Sequence, residues 1–144
     1  MIVQQILQSK SDDGVVYLEP GARVSEAAKL LSEKRIGTIV VSEDGKALLG
    51  ILSERDIVRE IGRRGTSCLD DTVSSMMTSR VQTCTRKDDA TTVLQVMTDG
   101  RFRHIPVVED GEMIGLISIG DVVKARLAEL SMEKDALQGM IMGH

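Results

Sequence analysis

The sequence predicts an α+β fold: two tandem β-α-β-β-α units packed with pseudo-twofold symmetry, plus a long C-terminal helix. Three observations predict it. The chain matches itself at a shift of 66 residues, each copy runs through strand-type and helix-type periodicities in the same order, and a copy of about 60 residues is too short for a comfortable core alone. Under the shift Val15 falls on Val81, Arg35 on Arg101, Ile39 on Ile105, Val41 on Val107, and Glu43-Asp44-Gly45 on Glu109-Asp110-Gly111. After a one-residue deletion, Gly50-Ile51-Leu52-Ser53-Glu54-Arg55-Asp56 lies over Gly115-Leu116-Ile117-Ser118-Ile119-Gly120-Asp121. The boundaries read as 1–65 for the first unit, 66–127 for the second and 128–144 for the extension.

The elements follow in order. Val3, Ile6 and Leu7 match Val73, Met76 and Met77 as short lead-in helices. Val15 to Leu18 is a short β-type run that ends at the turn Pro20-Gly21. Val24, Ala27, Ala28, Leu30 and Leu31 recur at helical spacing, with Ser25 in the N-cap region. Thr38 to Val41 is rich in β-branched residues, Glu43-Asp44-Gly45 turns, and Leu48 to Leu52 returns, which reads as a hairpin. Ser53-Glu54-Arg55-Asp56 then opens a helix with Ile57, Val58 and Ile61 on its apolar side. The second unit repeats this with a helix over Ala90 to Thr98, strands over Ile105 to Val108 and Met113 to Ile117, and a helix from Ile119 onward. That helix runs on with Val123, Leu127, Leu130, Leu137 and Ile141 at 3,4-type spacing, Lys134 at the remaining seam position and Met132, Met140 and Met142 nearby. Such a stripe must be covered, by a second protomer or by a client protein, and Met140 to His144 are expected to fray.

Composition narrows the function. Tyr17 and Phe102 are the only aromatic residues and there is no Trp, which excludes a serial stacking platform for single-stranded nucleic acid. With 18 basic and 22 acidic residues the formal charge is -4, so net charge draws the chain to neither DNA nor an anionic membrane. A nucleic-acid factor is the least favoured class. No apolar run approaches the ~20 residues of a membrane span, and the N-terminus lacks the basic and apolar regions of a signal peptide, so a cytoplasmic location is expected. Cys68 and Cys84 fit neither a disulfide framework nor a metal motif. No order of nucleophile, base and orienting group points to an enzyme.

Two tandem β-α-β-β-α units, each closing in Gly-h-h-Ser-x-x-Asp (h apolar) behind a Val-x-x-h-h lead-in, resemble a pair of cystathionine-beta-synthase-type (CBS) domains. The resemblance covers Val3 to about Leu127, so no attached catalytic domain is expected. It implies two clefts between the repeats that bind adenosine-containing ligands such as AMP, ADP, ATP, S-adenosylmethionine or NAD(H), and a homodimer in which modules pair into a flat disk.

Two readings of Ser-x-x-Asp stand side by side. Ser53 and Ser118 sit where a strand hands over to a helix, so free N–H groups and the helix dipole favour an anion such as phosphate. Asp56 and Asp121, three residues on, can accept hydrogen bonds from both hydroxyls of a ribose. The same pattern is also a capping box, in which the serine caps the helix and the acid reaches back; one serine can serve both.

Carrying the family's cleft across residue by residue, the resemblance implies a first cleft of Ser53 and Asp56 with Thr83, Arg103 and His104. Arg103 would fork onto phosphate oxygens and His104 would donate to one; as a lone histidine beside a strand, His104 reads equally well as structural. The second cleft would combine Ser118 and Asp121 with Tyr17, Gly37 and Thr38. Gly37-Thr38 stands where the other half has Arg103-His104, so this cleft is expected to lack cationic phosphate partners. Tyr17, in the place of Thr83, would stack on a base or plug the site. The two clefts are therefore expected to differ, one suited to a mononucleotide and the other to a ligand such as NAD(H). Arg55, Arg59 and Arg63, with Arg64 alongside, interleave with Glu54, Asp56 and Glu60 and read first as a solvated face, then as a reach to polyphosphate tails led by Arg55.

The whole reading is a regulatory sensor of adenosine ligands that signals allosterically to a client. The alternative is a ligand-independent interaction module with vestigial clefts.

Overall fold

The computed structural model describes residues 1–10 and 14–142, so the last two positions of the expected C-terminal extension lie outside the described residues. The elements are α1 (Val3–Ser9), β1 (Tyr17–Leu18), α2 (Val24–Lys34), β2 (Thr38–Val41), β3 (Gly50–Ser53), α3 (Glu54–Arg64), a 3-10 turn (Thr66–Asp70), α4 (Val73–Met76), α5 (Ala90–Gly100), β4 (His104–Glu109), β5 (Glu112–Ser118) and α6 (Ile119–Ile141). This is the α+β architecture the repeat predicts, with one strand of the second unit reduced to a bridge.

In the first sheet β1 runs parallel to β2 and β2 antiparallel to β3; in the second, β4 and β5 are antiparallel. The strand expected to match β1 is reduced to a parallel bridge between Cys84 and Val107. One of its bonds copies the first unit: Val108 N donates to Cys84 O (2.8 Å) as Ser42 N donates to Leu18 O. The bond from Val40 N to Val16 O has no counterpart, because Pro106 stands in the place of Val40 and has no N–H; there Cys84 N donates to Pro106 O (2.9 Å). One buried core gathers Val24, Ala27, Leu31, Ile39, Val41, Leu52 and Ile57, and the other Val93, Met97, Ile105, Val107, Ile117 and Val122.

The lead-in helices are exchanged. Val3 and Ile6 of α1 are buried in the core of the second unit, and Val73 of α4 in that of the first, with Met76 and Met77 against it. Backbone bonds fix the crossing twice over. Val3 N donates to Asp88 O and Ala90 N to Met1 O, while Val73 N donates to Ala22 O and Val24 N to Asp71 O, all at 2.8–2.9 Å. This overturns the expectation that Ser25 caps α2. The N-cap is Arg23, without a side-chain cap, and the orphan N–H at Val24 is satisfied by the carbonyl of Asp71. Its counterpart α5 has a side-chain cap, since Asp89 accepts from the N–H groups of Thr91 and Thr92.

The glycine that opens each Gly-h-h-Ser motif makes room for this crossing. A Cβ on Gly50 would lie 2.7 Å from the carbonyl oxygen of Thr78 and 2.6 Å from Met77 Sδ, and one on Gly115 would lie 2.6 Å from Leu7 Cδ2. Thr78 also pairs with Ile51 through two backbone bonds, so it cannot retreat freely. Gly50→Ala is therefore expected to cost about 1–3 kcal/mol, and Gly115→Ala less, because the tip of Leu7 can turn aside. Urea denaturation of the two variants reads the difference, and equal losses would argue against the close backbone approach as the cause.

Candidate functional site: two cavities across the pseudo-twofold axis

Each unit ends its hairpin at a serine that starts a helix, and each serine–aspartate pair closes a capping box. At α3, Asp56 N donates to Ser53 Oγ (3.2 Å) and Ser53 N to Asp56 Oδ2 (2.9 Å); at α6 the same bonds join Asp121 and Ser118 at 3.0 and 2.9 Å. The capping reading is thus realised at both motifs. Both pairs also line a cavity, so the cap holds each carboxylate at the mouth of a cleft built from both units.

The first cavity, about 580 Å³, is lined by Ser53, Arg55, Asp56, Arg103 and His104, as the sequence suggests, and also by Ile51, Glu54, Arg59, Thr78, Arg80, Arg101 and Phe102. The second, about 670 Å³, is lined by Gly37, Thr38, Ser118 and Asp121, with Lys10, Val15, Val16, Arg35, Ile36, Ile114 and Leu116. Both volumes suit a small-molecule ligand. The linings correspond across the axis: Arg80 answers Lys10, Arg101 answers Arg35, and Phe102 answers Ile36. Arg35 and Arg101 close their helices in the left-handed region, with φ of 53° and 58°, a conformation that costs a non-glycine residue roughly 1–2 kcal/mol. The same cation thus stands at both cavities at the same conformational cost.

Two residues named from the sequence are not brought in. Tyr17 is absent from the second lining and Thr83 from the first, and they occupy the same register. The ring of Tyr17 lies over the β2–β3 turn, where a Cβ on Gly45 would meet it at 2.8 Å. The residues just before them, Val15 and Val16 in one unit and Val81 and Gln82 in the other, take the cavity wall.

The expectation that the second cleft lacks cations is corrected. Lys10 and Arg35 line it, and Lys10 Nζ binds Asp121 Oδ2 (2.8 Å) and Leu116 O (2.7 Å). Lys10 escaped the sequence reading because it belongs to the exchanged lead-in, far from the motif it serves. Burial alone would raise the Asp121 carboxyl. The hydrogen bonds from Lys10 and Ser118 and the charge of Lys10 outweigh it and hold the group below the ordinary carboxylate range.

The arginine stripe divides. Arg63 and Arg64 pair with Glu60, and Arg64 also with Asp71, which makes them a solvated face. Arg55 and Arg59 turn to the first cavity, where Arg59 Nη2 holds Asp56 Oδ1 at 2.8 Å. Among the described residues, Arg55, Arg80, Arg101 and Arg103 form no ion pair with any carboxylate. Four arginines without an ion-pair partner among the described residues thus line one cavity of an acidic chain.

Between the cavities stand Thr38 and His104, which begin β2 and β4 and occupy equivalent positions of the two units. Thr38 Oγ1 and His104 Nδ1 are hydrogen-bonded at 2.9 Å, and both residues line both cavities. His104 is held below its ordinary value because burial disfavours its cation. Lys10 and Arg103 push the same way, and Asp121 and Glu54 oppose. Burial pushes the Cys84 thiol up to about 12, helped by Asp88, which keeps it an inert core residue.

Two α+β units locked by exchanged helices, with one cavity on each side of the axis, define a tandem-repeat module with paired inter-unit clefts. The family model for the CBS domain matches residues 6–63 and 73–128, and the chain belongs to that family. It is 35% identical to the CBS domain-containing protein CBSX3, mitochondrial, of Arabidopsis thaliana, over 98% of this chain and 72% of that protein. Among solved structures, the CBS-domain containing protein ATU1752 from Agrobacterium tumefaciens superposes with a TM-score of 0.82 at 41% identity, over 88% of this chain and 99% of that one. The CBS domain protein PAE2072 from Pyrobaculum aerophilum, solved in complex with AMP, superposes with a TM-score of 0.75 at 27% identity, over 92% and 99%.

Proposed function

We propose that this chain is a regulatory module that binds adenosine-containing nucleotides in the two cavities and signals their occupancy to a partner. The observation that carries the reading is the first cavity: a carboxylate held by its cap beside a helix N-terminus, with Arg55 on the same helix and Arg80, Arg101 and Arg103 across the inter-unit cleft, all four without an ion-pair partner among the described residues. A nucleotide meets each part. Its ribose hydroxyls find Asp56, its phosphates find the arginines and the start of α3, and its base finds Ile51 and Phe102. That PAE2072, a structural neighbour, was crystallised with AMP supports the reading.

The second cavity repeats the design with less positive charge, since Gly37 and Gly120 stand in the places of Arg103 and Arg55. It suits the less anionic ligand, and the first the more anionic one, an ADP or ATP before an AMP; NAD(H) fits the second. S-adenosylmethionine, whose sulfonium is cationic, is disfavoured in the first. A second copy of the chain would cover the exposed Val58 on α3, its counterpart Val123 on α6, and the stripe of Leu127, Leu130, Leu137 and Ile141. The same bare stripe is the one observation that favours the alternative, an interaction module that docks a client through α6 without any ligand.

Calorimetry with AMP, ATP, NADH and S-adenosylmethionine tests the reading. Asp56→Asn and Asp121→Asn keep an acceptor for the cap while removing the charge, and each is expected to weaken its own cavity about ten- to a hundredfold. Failure of all four ligands to bind below millimolar, or full affinity in both variants, would leave the interaction module as the standing reading.

A further inference from the structure

The Thr38–His104 hydrogen bond has one proton to distribute and two cavities to serve. A neutral imidazole carries a proton on one nitrogen only, and the other nitrogen must accept. If Nε2 bears it, Nδ1 accepts from the Thr38 hydroxyl, whose hydrogen is then committed to the histidine. If Nδ1 bears it, Thr38 Oγ1 accepts and its hydroxyl hydrogen is free for a ligand, but Nε2 can no longer donate. Both residues line both cavities, so a ligand in either lies against the pair. An acceptor in the first cavity that uses His104 Nε2 selects the Nε2–H form, and an acceptor in the second cavity that uses Thr38 selects the other.

We propose that this shared hydrogen bond makes the two cavities antagonistic toward ligands that present acceptors to it, so that filling one weakens the other. The proposal rests on the nucleotide reading above and concerns its regulation. Coupling of this kind is reciprocal, and the loss of one hydrogen bond to a charged acceptor makes it about tenfold. The imidazolium form would end the antagonism, because both ring nitrogens then donate and the Thr38 hydroxyl is released. The groups facing the ring set when that happens. Asp121 and Glu54 favour the cation, and Lys10, Arg103 and burial oppose it, so neutral pH keeps the switch in place and acidification relaxes it.

AMP is the probe. Its affinity for the second cavity is measured by calorimetry in the wild type with the first cavity saturated, and in Arg55→Ala/Asp56→Asn/Arg103→Ala, where the first cavity has lost its ribose acceptor as well as two cations and stays empty. The second cavity is expected to bind about tenfold more tightly in the variant, and adding Thr38→Val to both backgrounds is expected to bring the ratio to one. A ratio of one without Thr38→Val, or a tenfold ratio that survives it, overturns the proposal. A single AMP site that behaves alike in both backgrounds also overturns it and leaves the nucleotide reading intact, whereas no AMP binding anywhere overturns both. Long-range 1H–15N spectra supply a readout independent of affinity, since the chain has only two histidines. In Asp121→Asn saturated with AMP the His104 ring is expected as the Nε2–H tautomer, and an Nδ1–H ring would overturn the mechanism.

Discussion

Replacing Arg55 and Arg103 together by alanine is expected to weaken nucleotide binding at the first cavity by about a hundredfold to ten-thousandfold, since each would contribute a charge-assisted hydrogen bond of about 1.5–3 kcal/mol. The pair is chosen because it distinguishes the cavities. Arg101 and Arg80 have cationic counterparts in Arg35 and Lys10, whereas Arg55 and Arg103 face glycines at the equivalent positions. The double variant should therefore make the first cavity resemble the second in charge while Ser53, Asp56 and the cap remain. It should also lose the steep fall in affinity with added salt that unpaired surface cations impose on the wild type. Calorimetry at two salt concentrations measures both effects. A loss below about fivefold would mean that Arg55 and Arg103 serve something other than a bound nucleotide.

The second large effect concerns stability. Ile6→Ala removes a fully buried side chain, and large-to-small changes of this kind cost about 2–5 kcal/mol, a large part of the 5–15 kcal/mol typical of a domain. The site of the damage is the informative part. Ile6 stands at the start of the first repeat but packs with Val93, Met97, Ile105 and Ile117 of the second. Urea unfolding should shift as one transition. Native-state hydrogen exchange should lose protection first in β4, β5 and α5 rather than in β2 and β3. Early loss in β2 and β3 instead would mean that the helix exchange does not organise the cores.

Much of the fold was legible because repetition doubles every local signal. The hairpins, the helix after the motif and the lead-in each appear twice, with apolar residues at matching spacings. What stayed hidden depended on the other copy. Ser25 looked like a cap because the sequence does not reveal that Asp71 supplies the acceptor for Val24. At the cavities, Ser53, Asp56, Ser118 and Asp121 were legible because motif and site lie within four residues. Arg103, His104, Gly37 and Thr38 followed from the resemblance. Lys10, Arg80, Arg35 and Arg101 were not singled out, although the match of Arg35 to Arg101 was visible, because a lining residue is fixed by tertiary crossing rather than by motif. Tyr17 and Thr83 were misplaced by a slip of one or two residues. Where a strand is only two residues long and its counterpart a single bridge, periodicity gives too little register to tell which side chain faces the cleft.

The crossing of the lead-in helices also sets a timetable for synthesis. Val3 and Ile6 leave the ribosome before their partners, which extend to Ile117 and Val122, so the apolar face of α1 must wait for the second repeat before it is covered. Contacts so distant in sequence carry a loop-closure cost before they return any stability and slow the search. The first repeat, for its part, lacks Val73 until α4 emerges. The nascent protein therefore exposes the greasy face of α1 until the second repeat has been made, while chaperones and aggregation compete for it.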